Sequence, residues 1–257
     1  MHTWHWQTWN DLPYLTCSLL EPWRHGFFTQ QFSPRSPFEL TKILDSSATA
    51  YRVQQVHGNI VLAPSEMPNF SEQGNFLPGD GLITEQPHQA VWVCSADCTP
   101  VLIADARTGN GAAVHAGWRG TAQKIVPQAI ARLCKQGSQL EDLRIAMGPA
   151  IAGDVYQVST QVAVEVGATV TAIAKDDPLE TSVERLLSLP NSPMLSDAAP
   201  GRVRLDVRRV NALQIEQLGI TSDQVAIAPH CTYQDPINFF SYRREKLKKA
   251  QWSGIVT

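Results

Sequence analysis

The chain has 257 residues, 43% of them hydrophobic, and a formal net charge of −3. That is enough for one large domain or two small ones with a true core, and the charge excludes a bulk electrostatic pull toward nucleic acid or an anionic membrane. Five cysteines, at 17, 94, 98, 134 and 231, are an odd number thinly spread, which argues against a disulfide framework and for a reducing compartment. The first six residues lack a basic segment followed by an apolar one, so no secretion signal is expected. No apolar run approaches the roughly 20 residues that a bilayer demands. A cytoplasmic protein is the expectation.

In chain order, the N-terminus with His2 and His5 reads as a loose end. Residues 51–56 and 60–62 are short β-rich pieces around His57. A polar loop marked by Pro and Gly follows over 63–80, and residues 81–84 restart the chain. Residues 90–94, 101–104 and 112–115 are apolar runs of strand length. Residues 121–135 have helical spacing, with Gly137 as a stop. Pro127 predicts a kink or a later helix start, because a proline inside a helix costs about 3 kcal/mol unless it lies in the first turn. Residues 143–147 read as a strand and 161–174 as a helix. The Asp-, Ser- and Pro-rich stretch 176–201 reads as a long surface excursion. Asp206 is placed to cap a helix running to Leu218, with Gly219 just past its end. Residues 225–228 make a last strand, and 239–249 a basic helix. Strands and helices mix without a strict βαβ rhythm, which points to an α+β sandwich rather than a doubly wound sheet. No linker marks a domain boundary, so one domain over 1–257 is expected.

Three stretches carry the chemistry: Gln55-Val56-His57-Gly58, Ser95-Ala96-Asp97-Cys98-Thr99-Pro100 and Val114-His115-Ala116-Gly117-Trp118-Arg119-Gly120. Each lies at or near the end of an apolar run. Together they offer two imidazoles and a thiol, which are three zinc ligands with a fourth position open, as in catalytic rather than structural zinc. Such an ion lowers the pKa of the water it holds from about 16 toward about 7. Asp97, next to Cys98, is the nearest proton carrier, although adjacent strand residues face opposite ways unless the chain turns. Arg119, beside a Gly117/Gly120 turn, suits an anion, with Arg243 and Arg244 as further cations. Trp118, Phe239 and Phe240 are candidate stacking surfaces, and Gln55 shares the first motif. His230 and Cys231 read as packing residues, and Cys94 as a small apolar filler.

QVHG, DGLIT, SADCTPVLIAD, VHAGWRGT, the GPAI turn and CTYQDPINFFSYRRE together resemble the YfiH or laccase-domain proteins, once called polyphenol oxidases. The motifs span about residues 25 to 245. The resemblance implies a single four-layer α/β/β/α sandwich of mixed sheets, and zinc held by His57, Cys98 and His115. It also implies phosphorolysis of purine nucleosides (adenosine, inosine, methylthioadenosine), with adenosine deamination as a second activity. Purine nucleoside and phosphate are then the small-molecule partners. The same three residues, with Asp97 and Arg119, are the catalytic candidates; Gln55, Trp118, Phe240 and Arg243 are the candidates for substrate binding. One departure is visible. Many members carry GFSTR followed by a Gly pair, whereas this chain reads Gly26-Phe27-Phe28-Thr29-Gln30-Gln31-Phe32.

Two other chemistries fit the same residues. A Cys-His hydrolase would use Cys98 as nucleophile and His115 as base, without metal. A multicopper oxidase needs about ten His ligands, and only seven His are present. A single copper of His₂Cys type is compatible, with Met147 as the candidate weak axial ligand.

Overall fold

The computed structural model describes residues 2–67, 71, 74, 76–174 and 176–257. Among these, the chain forms strands β1 (Trp4–Trp9), β2 (Leu12–Cys17), β3 (Arg24–Phe28), β4 (Thr49–Arg52), β5 (Val61–Leu62), β6 (Gly81–Ile83), β7 (Gln89–Ser95) and β8 (Thr99–Asp105). They are followed by β9 (Gly111–Ala116), β10 (Leu143–Met147), β11 (Gln157–Ser159), β12 (Met194–Ser196), β13 (Arg202–Leu205), β14 (Val225–Ile227) and β15 (Gln251–Val256). The helices are α1 (Pro37–Leu44), α2 (Trp118–Ala122), α3 (Ile125–Lys135), α4 (Thr160–Gly167), α5 (Leu179–Leu187), α6 (Val207–Glu216) and α7 (Tyr242–Glu245).

Two mixed six-stranded sheets, ordered β1-β2-β3-β15-β7-β4 and β14-β10-β8-β9-β6-β5, lie face to face. Strand β8 illustrates why. All seven of its residues are buried. Val101 and Ile103 join the cluster under α3 and α6, while Leu102 and Ala104 join the cluster between the sheets with Phe27, Val91, Val93 and Ile255. Alternate side chains point to opposite faces, and both faces are covered, so the strand reads as one apolar run. Helix α1 covers the outer face of the first sheet over Phe28 and Trp92. The layers are therefore α/β/β/α, as the resemblance implied. Fully burying a side chain such as Val101 or Leu102 stabilises by about 1.5–3 kcal/mol.

A smaller sheet, β11-β13-β12, packs with α4 and α5 around its own apolar cluster, which includes Ala163, Leu186 and Leu205. This lobe corrects the reading of 176–201 as a surface excursion. Val183, Leu186 and Leu187 recur at helical spacing within the polar stretch and turn α5 onto α4. Helix α4 is shorter than expected, ending at Gly167.

Further readings are met, refined or corrected. The N-terminus is an ordered edge strand paired with β2 along its length, so His5 lies in a sheet. The helix around Pro127 is two helices, separated by Lys124 in the left-handed region (φ 57°). Pro127 is the third residue of α3, within the first turn, where the missing N–H has no intrahelical partner to lose. Asp206 caps α6 by accepting from Arg209 N at 3.1 Å. The basic helix expected over 239–249 is the single turn α7, and the residues after it form β15 at the centre of the first sheet. Gly254 in β15 is required by packing: a Cβ there would lie 2.4 Å from the Trp92 ring. The expected loop over 63–80 falls in part outside the described residues; its first turn is a short 3-10 helix, Pro64–Glu66.

Candidate metal centre and adjoining pocket

The second sheet brings the three motifs to one end. His57 lies in the connection between β4 and β5, Cys98 in the turn between β7 and β8, and His115 near the end of β9, opposite Pro100 of β8. The candidate ligand atoms of His57, Cys98 and His115 all lie within 4.8 Å of one another. The two imidazole rings meet edge to face at 4.9 Å, and both stand close enough to the Cys98 sulfur to act on its charge. His115 is buried, Cys98 half-buried and His57 exposed, so the group is open to solvent on the His57 side.

Asp80 organises this group and was not singled out in the sequence. It is fully buried. Its Oδ1 accepts from His115 Nδ1 at 2.9 Å and from His57 N at 2.9 Å. Its Oδ2 accepts from Gly58 N at 2.7 Å and Val56 N at 3.1 Å. One carboxylate thus closes the QVHG turn, in which His57 adopts φ 60°, and orients His115 so that its other nitrogen faces Cys98. A carboxylate behind an imidazole fixes its tautomer and raises its basicity toward a metal. Burial opposes charge on Asp80, but hydrogen bonds from His115 and Gly58 outweigh it and hold its carboxyl below the usual range. The sequence signal was only the Asp of DGLIT, which in a Gly-Asp-Gly context reads as an ordinary turn residue.

Burial also pushes the Cys98 thiol up, but the charge of His115 and hydrogen bonds from both imidazoles bring it down to about 6. Burial lowers His115, yet Cys98 and Asp80 raise it to about 9. Cys94, four residues earlier, is pushed the other way by burial, to about 11, and remains a thiol. Two imidazoles and a low-pKa thiol within a few ångströms match a zinc donor set. Gly117 leaves room for it: a Cβ there would lie 2.8 Å from the Cys98 sulfur and 3.5 Å from the His57 ring. Among the described residues this is the one His/Cys/Asp/Glu group of that kind. His230 packs edge-on against Trp6, the Cys231 sulfur accepts from Ala152 N, and Met147 is buried under α3 and α6.

A small pocket of ≈ 30 Å³ opens beside Cys98, lined by Asp97, Cys98, Trp118, Ile151, Tyr156 and Val207 among others. Asp97 and Cys98 both reach it because the chain turns at Asp97, whose φ is 89°. Both Asp97 oxygens are engaged: Oδ1 accepts from Thr232 Oγ1 at 2.8 Å and Oδ2 from Arg243 N at 2.6 Å. Asp97 thereby ties the C-terminal motif to the pocket. Arg119 is exposed, with its guanidinium 4.3 Å from the Trp118 ring centre. The Arg243 guanidinium lies 4.7 Å from the Tyr156 ring. Arg244 is committed elsewhere, to the carbonyls of Thr232, Tyr233 and Phe239 and to Glu245.

Two candidates for substrate binding stand apart from the pocket. Gln55 bridges to β7, donating to Cys94 O and accepting from Cys94 N, each at 2.7 Å; it pins the QVHG turn to the sheet. Phe240 is buried, with its N–H on Gln251 and Lys249 over its ring. Gln30, in the segment where the sequence departs from the resemblance, donates to the carbonyls of Pro236 and Ile237.

These features define an α/β/β/α sandwich with a candidate metal site of two imidazoles and a thiol at one end. The family described as multi-copper polyphenol oxidoreductase laccase matches residues 38–256, and the chain belongs to this laccase-domain (YfiH) family. It is 51% identical to purine nucleoside phosphorylase slr1573 of Synechocystis sp. over 99% of this chain and 97% of that one. It is 28% identical to adenosine deaminase RL5, from an unknown prokaryotic organism, over 69% of this chain and 61% of that one. The fold matches the crystal structure of YlmD from Geobacillus stearothermophilus at a TM-score of 0.79 with 23% identity, over 98% of both chains.

Proposed function

We propose that this chain, as one laccase-domain unit, is a zinc-dependent purine nucleoside phosphorylase with adenosine deaminase activity at the same site. The observation that carries the reading is the convergence of His57, Cys98 and His115 on one point, with Asp80 locking His115 from behind. The 51% relative named as a purine nucleoside phosphorylase supplies the substrate class. Among the described residues no helix is long and apolar enough to cross a membrane, and we take the cytoplasm as the site of action.

His57, Cys98 and His115 would hold the ion, which when bound supplies a Lewis-acid charge and an activated water. The remaining roles fall to the chain. A pocket of ≈ 30 Å³ admits a small polar group, not a nucleoside, so base and sugar lie across its mouth. In phosphorolysis a phosphate oxygen bonds to ribose C1′ while the C1′–N9 bond breaks and its electron pair leaves with the base. Arg119 holds phosphate at that mouth, with Trp118 as the platform for its guanidinium. Asp97 is a positioning residue: its carboxylate seats Arg243 and Thr232.

One observation favours a second reading. Without metal, Cys98, His115 and Asp80 form a thiol–imidazole–carboxylate series suited to a Cys-His hydrolase. The second imidazole on the same sulfur, His57, favours the metal. Copper in this His₂Cys set lacks Met147, which is buried in the core.

The test is a product assay on adenosine, inosine and methylthioadenosine, with and without phosphate, before and after chelation. Free base formed only with phosphate and lost on chelation is the expected result, with inosine formed from adenosine without phosphate. Turnover that survives chelation and dies with iodoacetamide would establish the hydrolase instead.

A further inference from the structure

Tyr156 is a polar group of the pocket to which the chemistry above gives no task. It lies just before β11, half-buried against the lobe cluster. Its ring lines the pocket beside Cys98. The phenol group lies within electrostatic reach of Cys98, Asp97, Arg119 and Arg243. Among the described residues its hydroxyl has no hydrogen-bond partner. A phenol that lines a mostly apolar pocket and meets no acceptor in the protein is a donor awaiting one.

The two arginines beside it share that state. Among the described residues neither Arg119 nor Arg243 has a carboxylate at ion-pair distance. Each is laid on an aromatic ring, and Arg243 is further fixed by its backbone N–H on Asp97 and its Nη1 on Gln157 O at 2.9 Å. A guanidinium carries five donors, so most remain available. The negative groups facing the pocket are accounted for: the Asp97 oxygens turn to Thr232 and Arg243 N, and the Cys98 thiolate faces two imidazoles.

We propose that Tyr156 joins Arg119 and Arg243 in a three-donor subsite for the phosphate co-substrate, with the Tyr156 hydroxyl as its one neutral donor. The donors come from three separate elements: α2, the segment before β11, and α7. Two fork-shaped cations and one hydroxyl match a tetrahedral oxyanion, and the pocket's size suits one of its oxygens. This inference rests on the phosphorylase reading.

The experiment uses Tyr156→Phe in the full metal-loaded chain, with Arg243→Met as a second variant. Two readouts are taken: binding of inorganic phosphate by calorimetry, and the ratio of inosine phosphorolysis to adenosine deamination. Losing one hydrogen bond to a charged group weakens phosphate binding roughly tenfold or more. Both the dissociation constant and the phosphate KM should rise by that factor in Tyr156→Phe, and the activity ratio should fall with them. Unchanged phosphate binding, or equal loss of both activities, would overturn the subsite. A wild type that binds phosphate but turns over no nucleoside would refute the purine reading alone, because the calorimetry still compares Tyr156 with Phe.

Discussion

The two walls of the pocket are built by different means. The wall of candidate metal ligands is made of turns between strands and the end of β9, and its groups hold one another in place. Asp80 alone takes three backbone N–H groups and one imidazole. The facing wall is made of a short helix, a lobe segment and a C-terminal turn, where cations rest on aromatic rings. Buried charge is tolerated only when its partners are fixed, so the first wall must be rigid. A cation over an aromatic face has broader geometry and can adapt to a ligand.

The contrast is sharpest in the response to pH. The metal requires a thiolate and a neutral imidazole. Cys98, lowered to about 6, is already a thiolate above that pH; His115, raised to about 9, stays protonated below it. Between the two, uptake of metal displaces about one proton, so affinity should rise about tenfold per pH unit and level off above 9. A competitive chelator titration at stepped pH measures this, and a flat profile would contradict the paired state. Breaking the wall at its anchor comes next. Asp80→Ala should weaken metal binding roughly 10–100-fold and cost about 3–5 kcal/mol in denaturant unfolding. On the other wall, Arg119→Ala should raise the phosphate KM roughly tenfold while the unfolding midpoint and metal affinity stay at wild-type values. A matching loss of metal affinity would mean that the walls are not separable.

The sequence disclosed the two walls unequally. His57, Cys98 and His115 were legible because their motifs stand at or near apolar runs, and buried strands such as β8 and β9, covered on both faces, announce themselves as continuous hydrophobic stretches. Asp80 was not, since its importance lies in four partners that only the fold assembles. Tyr156 was hidden for the same reason: its neighbours Arg119 and Arg243 come from distant segments. Strand β1 was obscured because its residues are mostly exposed, and β15 because it follows a basic run and carries Gly254 where a strand rarely does. Lobe residues such as Val183 and Leu186 are sparse among polar neighbours, and their spacing was outweighed by composition.

The most direct measurement is a cobalt(II) titration of the metal-free protein, followed by optical absorption, in wild type and Cys98→Ala. One equivalent should give a thiolate-to-cobalt charge-transfer band with the intense visible bands of a tetrahedral ion, and the variant should lose the former. Cobalt that binds without a thiolate band, or binds equally well in Cys98→Ala, would contradict a metal centre built on His57, Cys98 and His115.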